Sequence, residues 1–271
     1  MAHPGDHPDL GAALGARGFD LPLHFQARTG STNDDARRLL SAGAPVWTVV
    51  VADEQTAGRG RMGRRWVAPP GKAVLMSVVL RPQVEPARLT RLTMLGAVAA
   101  LRTLERWFAP GAAALKWPND VLLRGRKVAG VLPEAVFRGG AFAGAVLGIG
   151  LNVNSDFSAD PALSARAISM AQAAGASFDR AEVLMELLAH LRALYPSLED
   201  DSLFEAWRGA LLTLGRRVTA SAGDERLSGV AESVDADGAL WLRQDDGARV
   251  RLLAADVSLS DADAGEGGNA A

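Results

Sequence analysis

The 271-residue chain contains no cysteine. That removes disulfides, thiolate nucleophiles and Cys-ligated zinc together. No apolar run reaches the ~18 residues of a membrane span, and the opening segment, MAHPGDHPDL, is too acidic and proline-broken for a secretory signal. The expectation is an ordinary soluble, cytoplasmic protein with no membrane partner. A charge excess is lacking as well, since 29 Lys and Arg against 31 Asp and Glu leave a net charge of −2. No global basic field recruits nucleic acid, so any anion site has to be made by local clustering. What is present is 48% hydrophobic content, enough at this length for one large domain and a small one.

Residues from Met1 to about Asp20 are polar and glycine-rich without a clear period, an extension expected to be partly disordered and far too short for a DNA-binding headpiece. Ser31-Thr32-Asn33-Asp34 reads as a capping box that starts a short helix with Ala36, Leu39 and Leu40 turned inward. Strands are expected around Trp47 to Ala52 and Ala73 to Leu80. Leu89, Leu92, Leu95, Ala99 and Leu104 are spaced as one face of a long helix ending near Pro110. From Leu115 to Val153 short apolar runs alternate with turn residues, predicting a β-meander. Asp179 and Glu182 cap a helix through Tyr195, and Leu203, Phe204, Trp207 and Leu211 suggest another. Beyond Gly215 the segments shorten and alternate, with Asp237-Gly238 and Asp246-Gly247 as hairpin turns, which predicts a small antiparallel barrel. The resulting division is an extension (1–22), a large domain (23–212), a small domain (213–260) and a tail (261–271) expected to be disordered.

Gly58-Arg59-Gly60-Arg61-Met62-Gly63 fits the glycine pattern of a dinucleotide-binding unit. The strand before it is present, but the helix after it is excluded by Pro69-Pro70-Gly71. Glu85 stands at the expected distance downstream, yet in the Pro82 to Pro86 turn with no crossover helix before it. The dinucleotide reading fails. What remains is a mobile glycine loop with Arg59, Arg61, Arg64 and Arg65, suited to a polyanion: glycine allows backbone N–H groups close to an anion, and guanidinium forks grip phosphate bidentately.

Three further places carry chemistry, each with a plainer alternative. Lys116-Trp117-Pro118-Asn119-Asp120 contains common turn formers and is open to a purely structural role. Lys127 follows a hairpin beside Gly130, where a lone lysine is usually just solvated. Gly148-Ile149-Gly150-Leu151-Asn152-Val153-Asn154 puts two glycines in a strand, permitting close approach of a flat ligand or another backbone, or marking a bulge.

Taken together and in this order, these segments resemble biotin protein ligases from about His24 to Leu259. The match covers Ser31-Thr32-Asn33, Glu54 to Trp66, Lys116 to Asp120, Arg126 to Leu132 and Gly148 to Asn154; the specific part is the run Gly58 to Trp66 combined with Lys116 to Asp120, whereas Ser31-Thr32-Asn33 or Gly148 to Asn154 alone would mean little. The resemblance implies an α+β fold: a mixed β-sheet with flanking helices, related to class II aminoacyl-tRNA synthetase catalytic domains, plus a C-terminal SH3-like β-barrel. It implies that biotin and MgATP give biotinyl-5′-AMP and pyrophosphate, and that biotin then passes to a lysine of a biotin carboxyl carrier domain of acetyl-CoA carboxylase or a related carboxylase. By the same resemblance Arg59, Arg61 and Lys127 are catalytic. Ser31, Thr32, Asn33, Gln55, Gly58, Gly60 and Gly130 join them around biotin. Arg64, Lys116, Asn119, Asp120 and Asn152 join Arg59 and Arg61 around ATP, with Asp120 a weak Mg²⁺ ligand. The loop would close over the adenylate and shut out water.

Pro133 departs from many relatives and suggests an edge or bulge. No helix-turn-helix domain precedes the match, which looks like the monofunctional form: a monomer or weak homodimer that binds no specific DNA. A lipoate ligase would share the acyl-adenylate logic but usually lacks the GRGR pattern. An RNA-binding module would use the arginines with Trp66, on a small basic footprint.

Overall fold

The computed structural model describes residues 9–83, 88–222, 225–253 and 255–259. The expected disordered tail, the turn at Glu85 and the first eight residues lie outside the described residues. Helix α1 (Leu10–Ala16) precedes strand β1 (Leu23–Thr29), helix α2 (Thr32–Ser41), strands β2 (Val49–Gln55) and β3 (Ala73–Leu80), and helix α3 (Thr90–Glu105). The meander follows as β4 (Ala113–Lys116), β5 (Asp120–Leu123), β6 (Arg126–Arg138) and β7 (Ala141–Asn152). Helices α4 (Pro161–Ser164), α5 (Met170–Ala174), α6 (Arg180–Leu194) and α7 (Asp201–Gly209) lead to strands β8 (Arg217–Ala222), β9 (Glu225–Val234), β10 (Leu240–Arg243), β11 (Arg249–Leu252) and β12 (Asp256–Leu259).

The large sheet has the order β1-β2-β3-β7-β6-β5-β4, with β1 and β2 parallel and every other neighbour antiparallel. Its central strands are apolar on both faces because both faces are covered. Val49 and Val51 join the main core with α1, α3, α6 and α7, whereas Val50 packs on the opposite face with Val79, Val136 and Val146 under Ala36 and Leu40 of α2. The second sheet, β11-β10-β9-β8-β12, is antiparallel throughout and forms the SH3-like part of the fold.

Several expectations are corrected. Helix α1 stands within the extension read as aperiodic: Asp9 accepts from the Ala12 N–H at 2.7 Å, and Leu10 and Leu14 are buried. One i, i+4 pair is too short a pattern to show a period. Ser31 occupies the N-cap of α2 but makes no side-chain capping bond, and Leu39 is only half-buried. Trp47 lies outside β2 with φ of 67° and packs edge-on against Tyr195. Strand β12 was missed because four residues after Leu253 carry little pattern.

Pro133 sits at an open edge, as expected. It pairs with Leu147 of β7, but β5 covers β6 only as far as Gly130. Asn119 extends that cover by one residue, its carbonyl accepting the Val131 N–H at 3.1 Å and its Nδ2 donating to the Val131 carbonyl at 2.9 Å. Alternate residues point the same way, so the nitrogen of Pro133 faces the uncovered side and no bond to β7 is lost.

Candidate active site

A solvent-open cleft lies on the α2 face of the large sheet. Ser31, Thr32 and Asn33 enter it from the first turn of α2, Gln55 from the end of β2, and Gly130, Gly148 and Gly150 from β6 and β7. The floor is hydrogen-bonded through. Gln55 Oε1 accepts the Thr32 N–H at 2.7 Å, the Ser77 hydroxyl contacts Thr32 Oγ1 and Asn33 Oδ1, and Asn33 Nδ2 donates to the Leu132 carbonyl and to Glu134.

The glycine pair in β7 has a specific reason. A methyl group added at Gly148 would lie 2.1 Å from Asn33 Oδ1, and one at Gly150 would lie 2.5 Å from Cε2 of Trp66. The flat group admitted at Gly150 is therefore the chain's own indole, and the register of β7 with β3 and β6 runs through both glycines without a bulge. Trp66 also reaches Gly130, and Lys127 Nζ stands 5.6 Å from its ring centroid, within cation–π range.

The arginine segment is folded back on itself. Gly60 N–H donates to the Arg64 carbonyl and Trp66 N–H to the Gly58 carbonyl, around a tight turn at Arg61–Gly63. Cβ at position 58 would lie 2.6 Å from the Trp66 carbonyl, so this return is a glycine position. Six basic side chains (Arg59, Arg61, Arg64, Arg65, Lys116 and Lys127) line the cleft against two carboxylates, Asp120 and Asp256. Burial lowers the pKa of Arg61 and of Lys116, in each case opposed by the Asp120 charge, and for Lys116 reinforced by Lys127 and Arg64. Desolvated cations of this kind gain from an incoming anion. Arg59 is held by Asp34 at 2.5 Å and Glu134 at 3.1 Å, Lys127 by Asp120 at 2.5 Å, and Arg64 by Asp256 of the small domain. The Asp34 hydrogen bond raises the Arg59 pKa, and the same bond lowers that of Asp34.

Lys116 to Asp120 is anchored by Trp117, which is buried, donates its indole N–H to the Gly238 carbonyl at 2.9 Å, and precedes Pro118 through a cis peptide. Asn119 has the structural role already described, though it also borders the cleft.

Of the residues singled out in the sequence, Ser31, Thr32, Asn33, Gln55, Arg59, Gly60, Arg61, Arg64, Lys116, Asn119, Asp120, Lys127 and Gly130 meet at this one cleft. Gly58 lies behind the loop return. Asn152 is not among the lining residues: it is buried at the end of β7 and its Nδ2 donates to the Ile168 carbonyl at 3.3 Å. Residues missed are Asp34, Ser77 and Glu134, which hold the floor and Arg59, and Asp256, which brings the small domain to the loop. Their only sequence signal was position, Asp34 next to Asn33 and Glu134 two residues after Leu132. Among the described residues no group of three or more His, Asp or Glu gathers to hold a metal, so Asp120 is the one carboxylate of the large domain that this cleft offers to an ion brought in with a phosphate.

Residues 25–152 match the biotin/lipoate A/B protein ligase family, and residues 213–260 match the biotin protein ligase C terminal domain. The chain is 38% identical to the biotin–(acetyl-CoA-carboxylase) ligase of Paracoccus denitrificans, covering 85% of this chain and 98% of that protein. It is 34% identical to the enzyme of the same name from Mycobacterium tuberculosis, covering 91% and 90%. Among solved structures, biotin protein ligase from Aquifex aeolicus in complex with biotin and ATP aligns with a TM-score of 0.73 at 28% identity, over 88% of this chain and 98% of that one. With the fold, both segments and these relatives in agreement, the chain belongs to the biotin protein ligase family.

Proposed function

We propose that this cleft joins biotin to ATP and then delivers biotin to a protein lysine. The biotin carboxylate attacks the α-phosphorus, pyrophosphate leaves, and the lysine ε-amine of a carrier domain attacks the resulting mixed anhydride with loss of a proton and of AMP. The observation that carries this is the convergence of six basic side chains over an uncharged, hydrogen-bonding floor. Two anions repel each other, so their union needs cations that hold both and stabilise charge built up at the phosphorus. Arg59, Arg61 and Lys127 are placed for that role. Asp120, now paired with Lys127, occupies the position of an anion that substrate would replace.

Ser31, Thr32, Asn33 and Gln55 receive the neutral ring of biotin, with Gly60 and Gly130 leaving room for it and Gly58 shaping the loop. Arg64, Lys116 and Asn119 face the nucleotide, and Asn152, on the same face of β7 as Gly148 and Gly150, joins them from the end of the strand. Mg²⁺ supplies charge neutralisation to the ATP phosphates when bound, with Asp120 the side chain available to it. Residues 23–212 form the catalytic unit and 213–260 the small domain that meets it at Arg64. The acceptor is a biotin carboxyl carrier domain. We place the chain in the cytoplasm as a monomer or weak homodimer without a specific DNA site; no described helix is long and apolar enough to cross a membrane.

Pyrophosphate release is the test, measured with ATP and either biotin or lipoate, followed by transfer of labelled biotin to a carrier domain. Biotin-dependent release and labelling are expected. Release with lipoate alone would overturn the reading, and a gel shift at physiological salt with tight binding to one DNA sequence would overturn the DNA assignment.

A further inference from the structure

Ser77 lies on β3 beneath the first turn of α2, is 0% exposed, and does not border the cleft. Its hydroxyl oxygen is 2.6 Å from Asn33 Oδ1 and 2.8 Å from Thr32 Oγ1. One hydroxyl carries one proton, so only one of these contacts uses the proton of Ser77. The Asn33 amide is fixed in orientation because its nitrogen faces two acceptors, the Leu132 carbonyl at 3.2 Å and Glu134 Oε2 at 3.0 Å. Its Oδ1 is an acceptor only and takes the Ser77 proton. The contact with Thr32 is then a hydrogen bond if Thr32 donates. Gln55 Oε1, at 3.0 Å, is a second acceptor in reach of that proton, beside the Thr32 backbone N–H that it receives at 2.7 Å, so both acceptors hold the proton within the protein.

The protons thus run in one direction, from Thr32 to Ser77 to Asn33 to the Glu134 carboxylate, which is itself paired with Arg59 at 3.1 Å. Bonds aligned this way polarise one another, and the chain ends on a charge that strengthens it. With its proton held within the protein, the Thr32 hydroxyl is left to act only as an acceptor toward the cleft that Thr32 lines.

We infer that Ser77 is a positioning residue for recognition of the neutral substrate: without touching it, Ser77 commits the Thr32 hydroxyl to accept an N–H from a cyclic urea or amide, and it fixes the Asn33 amide beside it. The inference rests on the reading of biotin as that substrate. Ser77→Ala leaves Asn33 Oδ1 buried without its donor and leaves Gln55 Oε1 as the remaining acceptor for the Thr32 proton, without Ser77 to fix the hydroxyl from below. Loss of such a buried partner weakens biotin binding on the order of tenfold.

Calorimetric titration of biotin into the parent, Ser77→Ala, Glu134→Gln and the double variant tests this, with KM for ATP measured in parallel. Expected are weaker biotin binding by Ser77→Ala with KM for ATP unchanged, and a double variant little worse than the singles, since Ser77→Ala breaks the chain and Glu134→Gln removes the charge that ends it. Ser77→Ala binding biotin within about twofold of the parent, raising both substrates' constants alike, or adding fully to Glu134→Gln would overturn it. If Ser77→Ala does not fold, Ser77→Cys, a weak donor of similar size, is put through the same comparison. A parent that binds no biotin at all would instead overturn the ligase reading on which the inference stands.

Discussion

Lys127 Nζ lies 2.5 Å from Asp120 Oδ1, across the β5–β6 hairpin and over the Trp66 ring. A compact cation with a replaceable carboxylate on one side and an aromatic face on another is held ready for a stronger anion. Lys127→Ala is expected to slow biotinyl-adenylate formation by about 10²–10³, the cost of one preorganised donor. Lys127→Arg should recover little, because a planar fork does not replace a point charge between two close anions. Single-turnover assays at saturating biotin and ATP, timing adenylation apart from transfer, check this; a rate within a few-fold of the parent removes the role.

Gly150→Ala drives a methyl group into the Trp66 indole. Since the neighbouring β3 and β6 hold the strand in register, the indole has to move. The expected result is a stability loss of about 1–3 kcal/mol, as for other overpacked sites, with a greater than tenfold loss of biotin affinity. Urea melts and biotin titration measure the two. A variant with parent-like affinity would mean that the position of Trp66 does not matter to the cleft.

The pH dependence of the Asp34–Arg59 pair has a definite sign. The Arg59 hydrogen bond depresses the Asp34 pKa in the folded protein, so the pair contributes stability above the unfolded carboxylate pKa of about 3.9. That contribution is lost as pH falls through the lower, folded value. Asp34→Asn should be less stable than the parent at pH 7 by about 1 kcal/mol or less, given partial solvent screening, and the gap should close below pH 4. A gap that stays constant between pH 7 and pH 3 would separate the effect from ionisation.

Hydrogen exchange is expected to find residues 56–67 protected once biotinyl-adenylate is bound and faster to exchange without it, since the turn at Arg61–Gly63 closes on backbone bonds within the loop itself, Gly60 to Arg64, Arg64 to Arg61 and Trp66 to Gly58. Asp256→Asn should speed exchange in the free protein and leave the bound state unchanged. Equal protection in both states would argue against closure.

The fold was largely legible because both-face burial of β2 and β3 and the turn residues of the meander are local signals. The site's cations were legible for the same reason, concentrated as they are in one glycine loop and two hairpins. What escaped was relational. Glu134 looks like an ordinary polar strand residue until β6 sets it beside both Asn33 and Arg59. Ser77 is one small polar residue in an apolar run, and nothing in AVLMSVVL says that α2 lies over it. Asn152, drawn to the site by its motif, shares the face of β7 with Gly148 and Gly150 but is buried at the strand's end, paired across to Ala73 of β3.

The two faces of the large sheet are unequally buttressed: α2 rests on a patch of six buried residues, counting its own Ala36 and Leu40, while the opposite face shares the main core with α1, α3, α5, α6 and α7. The helix that carries Thr32 and Asn33 is therefore expected to loosen before the main core does. On heating, catalytic competence should fade several degrees before the circular-dichroism transition, and saturating biotin should bring the two temperatures together. Thermal inactivation in this protein would then report the loosening of one short helix, and engineering for heat resistance would begin beneath α2 rather than in the main core.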